Sequence, residues 1–193
     1  MKALLKKLLR RQNWPRIAVL ITIAATIALL RWQGRPWWCA CGQLRLWVGD
    51  AFSSHTSQHL ADPYSFTHLQ HGLVLFWLVS WAAKKWKWPW QRWLAVAIEA
   101  GWELLENTKF IIDRYRETTA ALGYTGDSIL NSLGDILFCY VGLHVARKLG
   151  WRNTWLLFLA IEAVLLLTIR DSLLLNIVML LAPIDAIKTW QQG

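Results

Sequence analysis

The chain has 193 residues, of which 55 % are apolar and only 17 % charged, with 15 tryptophans and a mean hydropathy of +0.29. An ordinary soluble domain of this size does not hide so much apolar surface, so the composition points to a membrane protein. The net charge of +9 would suggest phosphate binding in a soluble chain. Here, however, Lys and Arg stand in short clusters between apolar runs, the pattern that writes membrane topology, which argues against nucleic acid as a partner.

Nothing resembles a linker or an internal repeat. Residues 1–193 therefore read as one multi-pass membrane domain, an all-α integral membrane helical bundle of about six transmembrane helices with a polar outer loop between helices one and two. The basic N-terminal segment (Lys2, Lys6, Lys7, Arg10, Arg11, Arg16) precedes a first span over about 17–30, flanked by Trp14 and Trp32. Arg31, Trp32 and Arg35 follow where a small-x-small cleavage site would stand, so an uncleaved span with a cytoplasmic N-terminus is expected.

Residues 31–64 are too polar to span and are expected outside. A second span, about 64–83, ends in the basic loop KKWKWPWQRW, which returns the chain to the cytoplasm. The third, about 93–112, carries Glu99, Glu103 and Glu106 and leads to an outer loop, DRYRETTAALGYTG. Span four, about 127–145, runs inward, with Gly142, Ala146 and Gly150 spaced for close helix contact. Span five, about 155–169, holds Glu162. A sixth, about 172–190, crosses only if Pro183 is accepted as a kink, the alternative being five spans plus a re-entrant helix. Most Lys and Arg residues fall inside on this scheme, placing the chain in the bacterial inner membrane.

The stretch DAFSSHTSQHLADPYSFTHLQHG, residues 50–72, holds four of the five histidines. On helical spacing His68 and His71 share one face of span two. Glu99, Glu103 and Glu106 line one face of span three, and Asp127, Asn131 and Asp135 one face of span four. The topology brings all three stripes to the outer half of the bilayer, where an uncompensated carboxylate costs about 2.5–3.5 kcal/mol. A divalent cation (Zn, Mn or Fe) held by His68, His71, Glu103, Asp127 and Asp135 would offset that cost. Glu99 or Glu106 would then act as acid or base. Two other readings stay open: a metal-free catalytic or proton-handling site, and a structural network of protonated acids. Arg114 and Arg116, with Asn131, are expected to meet a lipid head group or lipid-linked phosphate.

Cys39 and Cys41, in WWCACG, admit a disulfide, a soft-metal site such as Cu(I), or free thiols. His55 and His59 could serve as outer-loop ligands if SSHTSQHLAD is helical from an N-cap at Ser54, or else belong to a solvated loop.

The blocks WWCACG, GDAFSSHTSQHLADPYSFTHLQHG, IEAGWELLENTKFIIDRYRE and GDSILNSLGD together resemble a proteobacterial family of small inner-membrane proteins, of the UPF and domain-of-unknown-function kind, found chiefly in alphaproteobacteria. That resemblance covers almost the whole chain and implies multi-pass membrane location but no activity. A looser similarity, carried by Gly126, Asp127, Asn131, Gly134 and Asp135 and less surely by Glu99 and Glu103, is to VanZ-like membrane proteins. These are linked to glycopeptide tolerance and cell-envelope lipids. The expected function is a metal-dependent enzyme acting on a lipid or lipid-linked envelope substrate at the periplasmic face. Its alternatives are a metal or proton transporter, and a non-catalytic assembly factor or metallochaperone. Membrane lipids are the partners implied, and no protein partner is legible.

Overall fold

The computed structural model describes residues 13–119 and 123–192, all helix and loop with no strand among them. Lys2, Lys6, Lys7, Arg10 and Arg11, expected on the inner side, lie outside the described residues, as do residues 120–122 of the expected outer loop.

Helix α1, Trp14–Trp32, begins with Pro15 in its first turn, where a missing N–H costs nothing. It runs alongside α3, Trp88–Glu106, in the same direction: the Trp93 indole donates to Thr22 Oγ1 at 3.1 Å and Gln33 Nε2 to the Leu104 carbonyl at 3.0 Å. Helix α2, Ser65–Ala82, returns antiparallel to α3, and Gln91 Nε2 reaches the Ala83 carbonyl at the turn between them.

Helix α5, Ile129–Ile169, is one element of 41 residues broken at Gly150, whose φ of +73° is left-handed backbone that glycine alone adopts cheaply. Its two arms pack on α2 in opposite directions. Ser65 meets Asp135 and Gly72 meets Cys139 and Gly142 on the first arm, whereas Gln70 bonds Phe158 and Glu162, and Trp77 meets Trp151, on the second. A Cβ on Gly72 would stand 2.0 Å from the Cys139 carbonyl oxygen, and one on Gly142 2.2 Å from that of Leu69, so the α2–α5 approach is set by backbone contact. Of the small residues expected to make such contact, Gly142 does, and Ala146 is fully buried against Leu73 and Phe158. Gly150 does not, since it forms the reversal and has nothing within 4 Å of a built Cβ.

Two expected spans are corrected. The sequence predicts a continuous third span over about 93–112, but α3 ends at Glu106. Thr108 then caps a separate helix, α4 (Lys109–Thr118), by accepting from the Ile111 N–H, while the Asn107 amide is drawn off to Asp127. The sixth, about 172–190, is two short helices, α6 (Leu173–Leu181) and α7 (Asp185–Gln192), separated at Pro183. At 1.5 Å per residue neither could cross a hydrocarbon core of about 30 Å.

Among the described residues two helices, Trp14–Trp32 and Ile129–Ile169, are long and apolar enough to cross a membrane. A cluster around Val79, Ala95, Val96, Ala100, Ile136 and Leu143 fills the bundle at the Gly150 end. At the opposite end α2 starts, α3 stops and α5 starts, and the loop of residues 33–64 covers them.

Candidate functional site

At that covered end the three polar stripes converge. His68 and His71 leave α2 one turn apart and both direct Nδ1 at Glu99 of α3, at 2.7 Å for His68 and 3.0 and 3.1 Å for His71. A carboxylate only accepts hydrogen bonds, so in each neutral imidazole Nδ1 holds the proton and Nε2 keeps its lone pair. Nε2 of His68 lies 3.9 Å from Asp135 Oδ2, and Asp135 Oδ1 takes a hydrogen bond from Ser65 Oγ at 2.8 Å.

Glu103, one turn beyond Glu99, is wholly buried, and neither carboxylate oxygen has a hydrogen-bond partner; Oε1 stands 3.3 Å from Nδ1 of His68. Glu106 Oε2 is likewise buried without a partner. Three overlapping groups each bring three ligand atoms within 4.8 Å: His68, His71 and Glu99; His68, Glu103 and Asp135; Glu103, Glu106 and Asp127. Desolvated carboxylates with free lone pairs beside imidazole nitrogens are a donor set suited to a divalent cation.

A cavity of about 440 Å³ opens onto His68, Glu106, Asp127 and Asp135, with Tyr64, Tyr115 and Tyr124 in its wall. Asp127, unlike Glu103, has both carboxylate oxygens satisfied. Its Oδ2 accepts from Asn107 Nδ2 at 2.7 Å, its Oδ1 from the Tyr124 hydroxyl at 2.9 Å, and its N–H donates to Asn107 Oδ1 at 2.8 Å.

The expected substrate-binding groups do not line this cavity. Arg114 gives its Nε to the Leu180 carbonyl at 2.9 Å, and Arg116 is exposed on α4. Because α4 is a separate helix packed against α6, it carries these cations away from the site. Asn131 is buried and donates to the His59 carbonyl at 2.9 Å, so its amide ties down the loop. The guanidinium that does reach this end is Arg35, whose Nε and Nη1 donate to the carbonyls of Asp127 and Thr125, both at 2.7 Å.

The second cluster lies in the covering loop. Residues 51–60 are turns rather than a helix, with Ser57 left-handed at φ +63°, and Ser54 caps nothing. Even so, His55 and His59 come together, their Nδ1 and Nε2 atoms 3.2 Å apart, and meet the two cysteines, which are free thiols. Cys39 Sγ is 3.5 Å from His55 Nδ1, and Cys41 Sγ 3.9 Å from His59 Nε2. Burial raises the Cys39 thiol pKa, the hydrogen bond with Cys39 lowers that of Cys41, and burial followed by the His55 charge lowers that of His59.

Residues 30–193 match the family described as "Protein of unknown function (DUF2585)". The chain belongs to the DUF2585 family. Its relatives include the UPF0314 protein of Sphingopyxis alaskensis, 44 % identical over 95 % of this chain and 96 % of its own. Those of Brucella anthropi (41 % identical, 94 % and 93 % covered) and Paracoccus denitrificans (40 %, 94 % of each) are similar over the same extent. No solved structure matches. Both clusters fall within the part of the chain that matches DUF2585, and most of α1 precedes it.

Several DUF2585-region residues at the site were not anticipated from the sequence. Asp62 is buried and accepts from the N–H groups of Ser57 and Tyr64, at 2.6 and 2.8 Å. The local signal for it is an Asp two residues before a chain turn, where its side chain satisfies backbone N–H groups. Asn107 and Tyr124 orient Asp127 and could have been suspected only from their places beside helix ends.

Proposed function

We propose that the chain is a multi-pass inner-membrane protein with its N-terminus in the cytoplasm, and that the His–carboxylate cluster holds a divalent metal, Zn, Mn or Fe, for an enzyme acting on a lipid or lipid-linked envelope substrate at the periplasmic face. Glu103 carries this reading: a fully buried carboxylate with two unpartnered oxygens, between His68 and the other acids, beside a cavity. The cation would be held by His68 through Nε2, with Glu103 and Asp135, and by His71 and Asp127 at the edges of the same site. A divalent ion there would supply Lewis acidity or an activated water.

Around it this chain's own groups take distinct parts. Glu99 fixes both imidazoles by their Nδ1 protons, the arrangement in which a carboxylate orients a ligating histidine. Glu106, with its buried Oε2 at the cavity wall, is placed to take or give a proton. The tyrosine hydroxyls and the cavity shape position the substrate. Exposed apolar side chains on α1 and α5, among them Leu20, Ile21, Leu159, Val164 and Leu167, support a lipid-facing surface. The VanZ-like residues Gly126, Asp127, Asn131, Gly134 and Asp135 are in keeping with an envelope lipid as substrate class. Transport fits less well, because the buried residues packed between the site and the Gly150 end, Val96, Ala100, Ile136 and Leu143 among them, are apolar.

The test is the metal content of the full chain purified in detergent. His68→Ala and Glu103→Gln should each lose one equivalent relative to wild type. Equal metal in wild type and both variants overturns the reading.

A further inference from the structure

The covering loop has almost no apolar core of its own. Of its residues Val48, Ala51 and Ala61 are buried, whereas Leu44, Leu46 and Trp47 stand exposed. It lacks helix and strand, yet it is held in one shape that roofs the cavity through Phe52, Ser53, Ser54, Thr56, Ser57 and Gln58. One side is docked on the start of α5. The Ser57 and Gln58 carbonyls accept from Ser128 N–H and Oγ at 2.9 and 3.1 Å, the His59 carbonyl accepts from Asn131, and Gln58 Nε2 donates to the Gly126 carbonyl at 2.9 Å. Away from that docked side, backbone bonds from Val48 N–H to the Ala61 carbonyl and from Leu60 N–H to the Arg45 carbonyl tie the loop to itself, and Cys39, Cys41, His55 and His59 gather its two ends.

Those four side chains have ligand-atom separations that fit a tetrahedral site. With Zn–S of about 2.3 Å and Zn–N of about 2.0–2.1 Å, tetrahedral ligand atoms stand about 3.6 Å apart for sulfur to nitrogen and about 3.3 Å for nitrogen to nitrogen. The corresponding separations are 3.5 and 3.9 Å for the Cys–His pairs and 3.2 Å for the His pair, and all four ligand atoms lie within 4.8 Å of one another. The backbone is shaped to make this so. Gly42, left-handed at φ +72°, closes the Cys-Ala-Cys turn by donating to the Cys39 carbonyl, and the Cys41 N–H points at Cys39 Sγ at 3.3 Å, as an amide does toward a thiolate. Left-handed Ser57, a conformation costly for a residue with a Cβ, lets His55 and His59 face one point without a helix between them.

We propose that Cys39, Cys41, His55 and His59 form a Cys2His2 zinc site that staples the loop roofing the cavity. It is separate from the buried His–carboxylate cluster and independent of any activity assigned there. Zn2+ binding releases the two thiol protons to solvent and forms two Zn–S and two Zn–N bonds, with both imidazoles neutral. His55 ligates through Nδ1 and His59 through Nε2. Because Nδ1 of His59 receives a long contact from the Arg45 N–H at 3.3 Å, loading moves the His59 proton to Nδ1 and gives up that contact. Buried Cys39 and His59 form the inner half of the site, and exposed Cys41 with part-buried His55 leaves an entry for the ion.

The experiment uses the full chain in detergent, purified with reductant and stripped by chelator, then titrated with Co2+. One equivalent should give the thiolate-to-cobalt charge-transfer band and the strong visible bands of tetrahedral Co2+, both lost on adding Zn2+. The ligands proposed for the inner cluster carry no sulfur, and the one thiol beside it, buried Cys139 hydrogen-bonded to Glu99, is removed by Cys139→Ala; that variant, His68→Ala and Glu103→Gln should all keep the band. Cys39→Ser with Cys41→Ser should abolish it and lose one equivalent of zinc, and His55→Ala with His59→Ala should abolish the tetrahedral signature. Zinc should also slow amide exchange across residues 37–60. Wild type that shows no charge-transfer band with its thiols titrating freely overturns the proposal. So does a Cys39–Cys41 disulfide in protein purified without reductant, or a band unchanged in the double histidine variant.

Discussion

Glu99 and His68 are joined by a 2.7 Å contact between Oε1 and Nδ1 across α2 and α3, and both side chains are buried. This contact decides which imidazole nitrogen is available. With Nδ1 committed to the carboxylate, only Nε2 can meet an ion or a substrate, and it faces Asp135. Glu99→Gln should keep the shape and weaken the orientation, lowering metal affinity by roughly 10–100-fold. Chelator competition on the purified variant measures this. Affinity equal to wild type would mean that Glu99 does not orient the ligand.

Helix α5 and the covering loop meet at Gly134, where a Cβ would stand 1.9 Å from the Leu60 carbonyl oxygen. Backbone cannot yield as a flexible side chain does, so Gly134→Ala should destabilise the chain by roughly 1–3 kcal/mol. Gly101, also helical, has nothing within 4 Å of a built Cβ. There the same substitution should be neutral or stabilising by up to about 1 kcal/mol. Thermal unfolding of the two variants in one detergent compares them, and equal losses would contradict the close approach.

The polar stripes are legible in the sequence because helical periodicity puts His68 and His71, Glu99 and Glu103, and Asn131 and Asp135 on single faces; Asp127, expected on the last of these, stands in the loop before α5 and reaches the site from there. What each member does was not legible. Asp127 has both oxygens taken by Asn107 and Tyr124, residues outside regular helix whose directions no period predicts. Arg114 looked well placed while span three was read as continuous. The Thr108 cap breaks that helix and sends Arg114 to the Leu180 carbonyl. The cysteines and outer histidines were each visible but read apart, because the turn that unites them depends on a left-handed serine.

Asp171, in the turn between α5 and α6, accepts from the Ser172 N–H at 2.8 Å and the Tyr64 hydroxyl at 3.2 Å. Burial outweighs those bonds and raises its pKa to about 7. A carboxyl that prefers its neutral form in the fold contributes stability fully present below about pH 4, where the unfolded chain is also protonated. That contribution is lost as pH rises through about 7. Asp171→Asn should therefore unfold at a higher temperature than wild type at pH 8, an advantage on the order of a few kcal/mol that shrinks steadily toward pH 4. A difference independent of pH would place the effect elsewhere.

Glu162 is an acid inside a long apolar helix, and by location alone it would be suspected of carrying ions. Its bonds argue a structural part. Oε1 accepts from Gln70 Nε2 at 2.9 Å and the Leu173 N–H at 3.0 Å, and Oε2 accepts from the Leu174 N–H at 3.3 Å. It thus ties α2 to the second arm of α5 and satisfies orphan donors at the start of α6, where the helix dipole favours a negative charge. Glu162→Ala strands those donors and should cost roughly 2–4 kcal/mol of stability. Glu162→Gln keeps one acceptor and should cost about half as much. Metal content should be unchanged in both variants once folded, since no bond links Glu162 to either ligand cluster. A folded Glu162→Gln protein that had lost bound metal would instead make Glu162 part of the site.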